Sequence, residues 1–346
     1  MFYFENIYVE KEIADHPRTK EIVDKFPGAK NILVDRYMDV FGRARQNRLW
    51  QKNHPSLLLA KASGQLIYPG APVCQNFGSQ HFYYVSSMKN CLYDCEYCYL
   101  KGMYSCGYVV IFVNFEDILE EAHRLDLRLS TEAGEKEGYQ GIYLSVSFDT
   151  DLMAFDSITG YARLWAKFAA DHPMVTVEIR TKGGPDISAL LPEGEEGLVE
   201  NLVFAYTISP QPVIDSFEHR TASLKARLTS AAKAMDHGAS VRLCFDPMIY
   251  QRDWKDCYTH MVEQVGKALS LEKIRDASVG TFRISADYLK RMRGVEPDSA
   301  AVQFPFETRG GYAGYPRALE ESMMTFLEEK LKEAGIEAKK IYRSEF

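Results

Sequence analysis

Cys91-Leu-Tyr-Asp-Cys95-Glu-Tyr-Cys98 places three thiols on one short segment, spaced C-x3-C-x2-C. Three thiolates so close together can hold three irons of a four-iron, four-sulfur cluster, whereas the usual iron–sulfur spacings supply four cysteines. Stopping at three leaves one iron open to a small chelating molecule. The competing reading is a structural zinc site, which closes a tetrahedron with four ligands. Cys106 or His81 would then be the fourth.

The segments around this motif must hold it in place. Six runs read as strands: His81–Ser87, Gly141–Phe148, Val175–Thr181, Leu202–Ser209, Val241–Phe245 and Thr281–Ser285. Helical patterns lie between them. One follows Asn114, a candidate cap, with Ile118, Leu119, Ala122 and Leu125 as its apolar stripe; others cover Ile158–Ala170, Ala222–Asp236 and Trp254–Leu269. A last amphipathic helix is expected from Pro316, with Leu319, Met323, Phe326 and Leu327 inward. Strands alternating with helices argue for a parallel sheet covered by helices, an α/β fold. Within Val175–Thr181, Glu178 and Arg180 alternate with Val177 and Ile179, and Lys182 continues the charged set. Arg242, Cys244 and Asp246 share a face on a later strand, as do Ser145, Ser147 and Asp149. The apolar sets should meet the helices, so the polar sets should line an interior that holds polar molecules.

At 346 residues and 46% hydrophobic, the chain has material for one large core. No run approaches the ~18 consecutive apolar residues of a membrane span, and Met1-Phe-Tyr-Phe-Glu-Asn lacks the pattern of an export signal. Seven cysteines, an odd number, do not suggest a disulfide scaffold, so a reducing cytoplasm and no membrane partner are expected. The net charge of −7 lends nothing to nucleic-acid binding, which would need a local basic stripe. Arg43, Arg45, Arg48 and Lys52 around Trp50 form one candidate for phosphate and base contacts.

The cysteine spacing, the aromatic after it and six βα units resemble radical S-adenosylmethionine enzymes. The resemblance implies a partial (β/α)6 TIM-type barrel over residues 81–290. An N-terminal extension, 1–80, and a C-terminal one, 291–346, would pack against it. It also implies a [4Fe–4S] cluster on Cys91, Cys95 and Cys98, with S-adenosylmethionine on the open iron. Cys95-Glu-Tyr97-Cys98-Tyr99-Leu100 is similar to the Cys-x-Tyr-Cys-Tyr-Leu run of spore photoproduct lyases, and Tyr108–Leu119, Asp151–Thr159, Thr181-Lys182 and Thr308–Tyr315 resemble further segments of that family. By this resemblance Tyr97, Thr150, Asp151, Lys182 and Thr207 place S-adenosylmethionine, Lys182 at its carboxylate, and Arg309 and Tyr312 contact DNA. The implied reaction repairs 5-thyminyl-5,6-dihydrothymine in DNA through a 5′-deoxyadenosyl radical, and it needs a one-electron reductant such as flavodoxin or ferredoxin.

One position departs from the family pattern. A cysteine before the Asp151 run returns a hydrogen atom to the thymine radical, and alignment on Asp151 puts Phe148 there. Tyr97 and Tyr99 remain as candidate radical relays, and Cys244 is the candidate substitute thiol. Two alternatives follow: a radical enzyme of the same family acting on another substrate, and a zinc-bearing nucleic-acid-binding protein.

Overall fold

A computed structural model describes residues 3–71, 74–134, 139–191 and 197–344. Its main sheet runs, edge to edge, through Ile67–Pro69, Phe82–Val85, Ile142–Ser145, Val175–Thr181, Leu202–Thr207, Ser240–Met248, Asp276–Thr281 and Ile341–Arg343. All neighbours are parallel except the first pair. From Phe82 to Thr281 the order in space is the order in the chain, the signature of successive βα crossovers. The connecting helices include Phe115–Gly134, Tyr161–Asp171, Leu224–Asp236 and Trp254–Ala268. Parallel strands covered on both faces read as continuous apolar runs, and Leu202–Thr207 is buried throughout. Among the described residues the two edge strands do not pair, so the barrel stays open.

The sixth parallel strand is Asp276–Thr281, not the expected Thr281–Ser285. Its small residues and glycine mimic a loop. A Cβ on Gly280 would lie 2.9 Å from Ser344, so the glycine admits the close approach of the C-terminal tail. Arg283–Ser285 instead joins Tyr312–Gly314 and Glu307–Arg309 in a small antiparallel sheet.

A second sheet is ordered Lys30–Val34, Asn6–Glu10, Ser56–Ala60, Val109–Phe112, Met88–Lys89. Backbone pairing therefore crosses residue 80 in both directions: Val109–Phe112 joins this sheet and Ile67–Pro69 joins the main one. Asn114 does not cap the following helix with its side chain. Its amide brackets Ala62, accepting from the Ala62 N–H (2.7 Å) and donating to the Ala62 carbonyl (3.0 Å), which ties the two sheets' connections together. The last helix, Arg317–Glu333, begins after Pro316 as expected and buries Met323, Met324, Leu327 and Leu331.

Candidate active site

Cys91, Cys95 and Cys98 lie beyond the C-terminal end of Phe82–Val85, on a loop fastened from several sides. Met88–Lys89 pairs with Val110 and Ile111. Asp94–Cys95 pairs antiparallel with Glu218–His219, and the Glu96 N–H donates to the Phe217 carbonyl at 2.9 Å. Asn90 adopts a left-handed φ of 66° and donates to the carbonyls of Cys106 (2.9 Å) and Tyr108 (2.7 Å). Arg48 reaches in to donate to the Tyr104 and Cys106 carbonyls and to the Asn90 side chain. None of the three cysteines is in a disulfide. Burial pushes the Cys95 thiol up to about 12 and Cys91 well above its ordinary value. Such thiols ionise when a bound metal supplies compensating charge.

Neither candidate fourth zinc ligand is committed to this loop. Cys106 Sγ accepts from the Gln51 amide (3.7 Å), and the His81 ring packs on Tyr139. Among the described residues, no three His, Cys, Asp or Glu side chains converge on a single ion position. Three free thiols on one loop, not gathered about a single ion, fit a cluster in which each thiolate takes its own iron and one iron stays open.

Beside the loop lies a carboxylate that sequence reasoning missed. Glu218 is 1% exposed and takes contacts from Tyr97 OH, Lys182 Nζ (3.2 Å), Ser209 Oγ (2.8 Å) and Arg227 Nη2 (2.5 Å). Burial opposes its charge, but Lys182 and Arg227 overcome this and hold the carboxyl at about 2. Lys182 also donates to Tyr97 OH at 2.6 Å, and its ammonium sits 4.4 Å from the Tyr97 ring centre. Glu218 lies in an ordinary polar run, Ser216-Phe-Glu-His-Arg220, and nothing in its spacing marks it.

Asp151 is occupied by its own backbone surroundings. It accepts from Thr181 Oγ1 (2.9 Å), the Lys182 N–H (2.7 Å) and the Ala154 N–H (3.1 Å), so it sets the end of the Val175–Thr181 strand that aims Lys182. Burial raises it to about 6. Thr207 is buried, and its carbonyl accepts from Arg227. Thr150, Ser147 and Ser87 each keep a buried hydroxyl without a partner. Buried polar atoms are normally paired, so these hydroxyls fit a polar molecule seated among them.

The lower interior satisfies itself. Arg242 pairs with Glu178 (2.8 Å) and Asp276 (2.7 Å), and Tyr143 OH donates to Glu178. Phe77 lies flat against the Arg242 guanidinium, 3.2 Å from its ring centre. Asp246 takes a bidentate contact from Arg283 (2.8 and 3.0 Å). The inward-facing charges expected from strand alternation are therefore present, but most are paired.

Arg309 and Tyr312 are brought opposite one another by a two-residue Gly310-Gly311 turn, both glycines at positive φ, as a tight hairpin requires. Arg309 Nη2 contacts Glu320 (2.5 Å) and the Tyr315 carbonyl (3.2 Å). The basic group around Trp50 divides: Arg43 and Arg45 are exposed, whereas Arg48 braces the cysteine loop and Lys52 pairs with Asp94.

A family model described as spore photoproduct lyase matches residues 79–292. This chain belongs to the spore photoproduct lyase family. Among curated members, the spore photoproduct lyase of Bacillus subtilis (strain 168) is 24% identical over 267 residues, covering 76% of this chain and 73% of its own. That of Clostridium acetobutylicum is 24% identical over 323 residues, covering 90% of each. A solved spore photoproduct lyase complexed with dinucleoside spore photoproduct superposes with a TM-score of 0.80 at 18% identity, covering 100% of this chain and 99% of that one. A variant of it with bound AdoMet and the same dinucleoside gives the same values.

Within this family frame, the surroundings of Phe148 become informative. Its ring stacks on Tyr84 (4.1 Å between centres) and meets Tyr99 at 5.7 Å, and Tyr99 OH donates to the Phe148 carbonyl. Cys244 is fully buried among Arg180, Glu178 and Arg242, and burial pushes its thiol up to about 11. A second thiol is the half-buried Cys74, on the loop leading into Phe82–Val85. It lies within electrostatic reach of Tyr99, Tyr84, Arg180 and Arg283. The irregular segment of Cys74 offered no periodicity from which to place it.

Proposed function

We propose that this chain is a spore photoproduct lyase that restores two thymines from 5-thyminyl-5,6-dihydrothymine in DNA. Family membership together with the three-thiol loop beside Lys182 and Tyr97 carries the reading. A [4Fe–4S] cluster with S-adenosylmethionine, when bound and reduced by one electron, would supply the 5′-deoxyadenosyl radical chemistry directed at the C6 hydrogen of the lesion. Cys91, Cys95 and Cys98 would hold the cluster. Lys182, kept extended by Asp151 and Glu218, offers its ammonium to the cofactor carboxylate, and Thr150 offers its unpaired hydroxyl. The buried strand ends exclude water from the reacting carbon.

After the bridging bond breaks, a hydrogen atom must return to the thymine-derived radical. We assign that transfer to the Cys74 S–H, with Cys244 as the other candidate thiol, and the relay of the radical from sulfur to Tyr99 and Tyr97. A one-electron carrier such as flavodoxin or ferredoxin would serve as reductant, and the reducing cytoplasm as compartment. No helix among the described residues is long and apolar enough to cross a membrane. Residues 81–290 would carry the cluster and S-adenosylmethionine, with 1–80 contributing Cys74 and otherwise buttressing them, 291–346 packing against them, and Arg309 and Tyr312 meeting DNA. The test is an anaerobic assay of the iron-reconstituted protein on the spore-photoproduct dinucleotide. Thymine should appear with 5′-deoxyadenosine; abundant 5′-deoxyadenosine without thymine would assign the family chemistry to another substrate.

A further inference from the structure

We propose that the surface formed by Arg43, Arg45, Leu49 and Trp50 docks an acidic one-electron carrier protein and is the route by which the cysteine loop receives its electron. The proposal rests on the cluster reading above. The loop has two sides. Lys182, Tyr97 and Glu218 occupy the side toward the sheet, where the ligands must sit. The other side is covered by the short helix Arg48–Asn53, whose Arg48 donates to Tyr104, Cys106 and Asn90 and whose Lys52 pairs with Asp94 between the cysteines.

The outward face of this helix is apolar and uncovered, with Leu49 65% and Trp50 52% exposed. A helix with its side chains is ~10–12 Å across, so a carrier seated on Trp50 is separated from the loop by about the thickness of one helix. The Trp50 ring stacks on His54 at 4.3 Å, which fixes its orientation. Arg43 and Arg45 are exposed on the preceding segment, which Gln46 fastens to this helix by donating to the Arg43 carbonyl (3.0 Å) and accepting from Gln51 (2.6 Å). The acidic side chains of these segments are exposed Asp39, exposed Asp35, which is paired with Lys11, and half-buried Glu5, which is paired with His54 (2.8 Å). In a chain of net charge −7, this is a local basic rim around an aromatic centre. An aromatic anchor within a complementary charged rim gives affinity at the centre and a fast, salt-sensitive encounter at the edge. The electron leaves the carrier's reduced flavin or iron–sulfur group, which is oxidised, and the cluster is reduced by one electron.

The probe is a reduced flavodoxin presented to the reconstituted enzyme, with dithionite as a small reductant that needs no docking surface. In the R43E/R45E pair and in Trp50→Ala, flavodoxin-driven cluster reduction, followed by electron paramagnetic resonance, should fall at least ten-fold. Flavodoxin affinity should fall with it, while dithionite reduces the cluster at the wild-type rate. The salt dependence of the wild type should flatten in the charge-reversed pair, with R43A/R45A intermediate. Flavodoxin reduction of R43E/R45E at the wild-type rate overturns the proposal. So does a loss of lesion-DNA affinity with electron delivery intact, which would make this a nucleic-acid face. Failure of the wild type to accept an electron even from dithionite is a different result, and it removes the cluster reading itself.

Discussion

Cys74 and Cys244 are the two candidate thiols, and their neighbours separate them. Hydrogen transfer is governed by approach rather than residue identity, and Cys74 is the one coupled electrostatically to Tyr99 and Tyr84, which pack on Phe148. Cys74→Ala should therefore divert repair toward trapped thymine adducts, while Cys244→Ala repairs at near the wild-type rate. In deuterated buffer the wild type should place deuterium in the thymine methyl group and Cys74→Ala should not; the opposite pattern in the two variants would transfer the role to Cys244. Asp151 gives a pH-dependent prediction. Its folded value, about 6, lies above the ordinary carboxyl value, so the native state favours the protonated form. Its contribution to stability is then greatest near pH ~4 and declines as pH rises through about 6. Asp151→Ala also strands three donors, at a cost of about 1–3 kcal/mol each. The stability gap between wild type and variant, from denaturant midpoints at each pH, should be widest near pH 4 and narrow toward neutrality. A gap that does not change with pH would show that burial leaves this carboxyl unshifted. At this scale the cysteine trio draws notice through its local spacing, and Lys182 through strand alternation and the Thr181-Lys182 resemblance. Glu218 was not, because its partners Tyr97, Lys182 and Arg227 come from separate segments that only the fold brings together.

The four-residue helix Leu100–Met103, directly after the cysteines, is too short to persist alone. It is held against the helix Ala286–Val295, where a Cβ on Gly102 would lie 2.6–2.8 Å from the Cβ, carbonyl oxygen and Cα of Tyr288. Two of those atoms are backbone and cannot turn aside. Arg291 completes the contact by donating to the Gly102 carbonyl at 2.9 Å. Gly102→Ala should cost about 1–3 kcal/mol by overpacking and lower the iron retained after reconstitution, read by thermal melting and iron analysis; full iron content and an unchanged melt would mean the two helices separate freely. Most elements of the main sheet were legible, since apolar strands of this kind announce themselves. Val175–Thr181 was placed to the residue. Asp276–Thr281 was hidden because its composition answers to packing against the C-terminal tail rather than to strand propensity, and tertiary context overrides propensity at such sites.

Across the whole molecule, one ionic group joins three regions of the chain. Lys101, 4% exposed, pairs with Asp94 (2.8 Å) and Glu296 (2.5 Å), and Lys52 reaches both carboxylates from the N-terminal side. Removing one member of a buried ion pair leaves uncompensated charge, at a cost of about 3–5 kcal/mol. Lys101→Met should lower the urea midpoint accordingly, with Lys101→Arg recovering part of the loss. Equal midpoints for Met and wild type would mean that Lys52 alone satisfies both carboxylates. This arrangement was invisible in sequence because Lys52, Asp94, Lys101 and Glu296 are each unremarkable in their own segments.

Phe77 touches Tyr143, Arg242 and Tyr342, members of an early, a late and the last strand of the main sheet. Gln75, two residues earlier, donates to the Arg343 carbonyl on the edge strand. The loop carrying both residues thus stands where a closed barrel would have its final ladder, and it stops the interior from below. A chamber stopped at one end is filled and emptied through the other. Whatever molecule lies deeper must arrive first and depart last, so binding to this protein should be compulsory in order. Product inhibition patterns, rather than any feature of the chemistry, would report that sequence of arrivals.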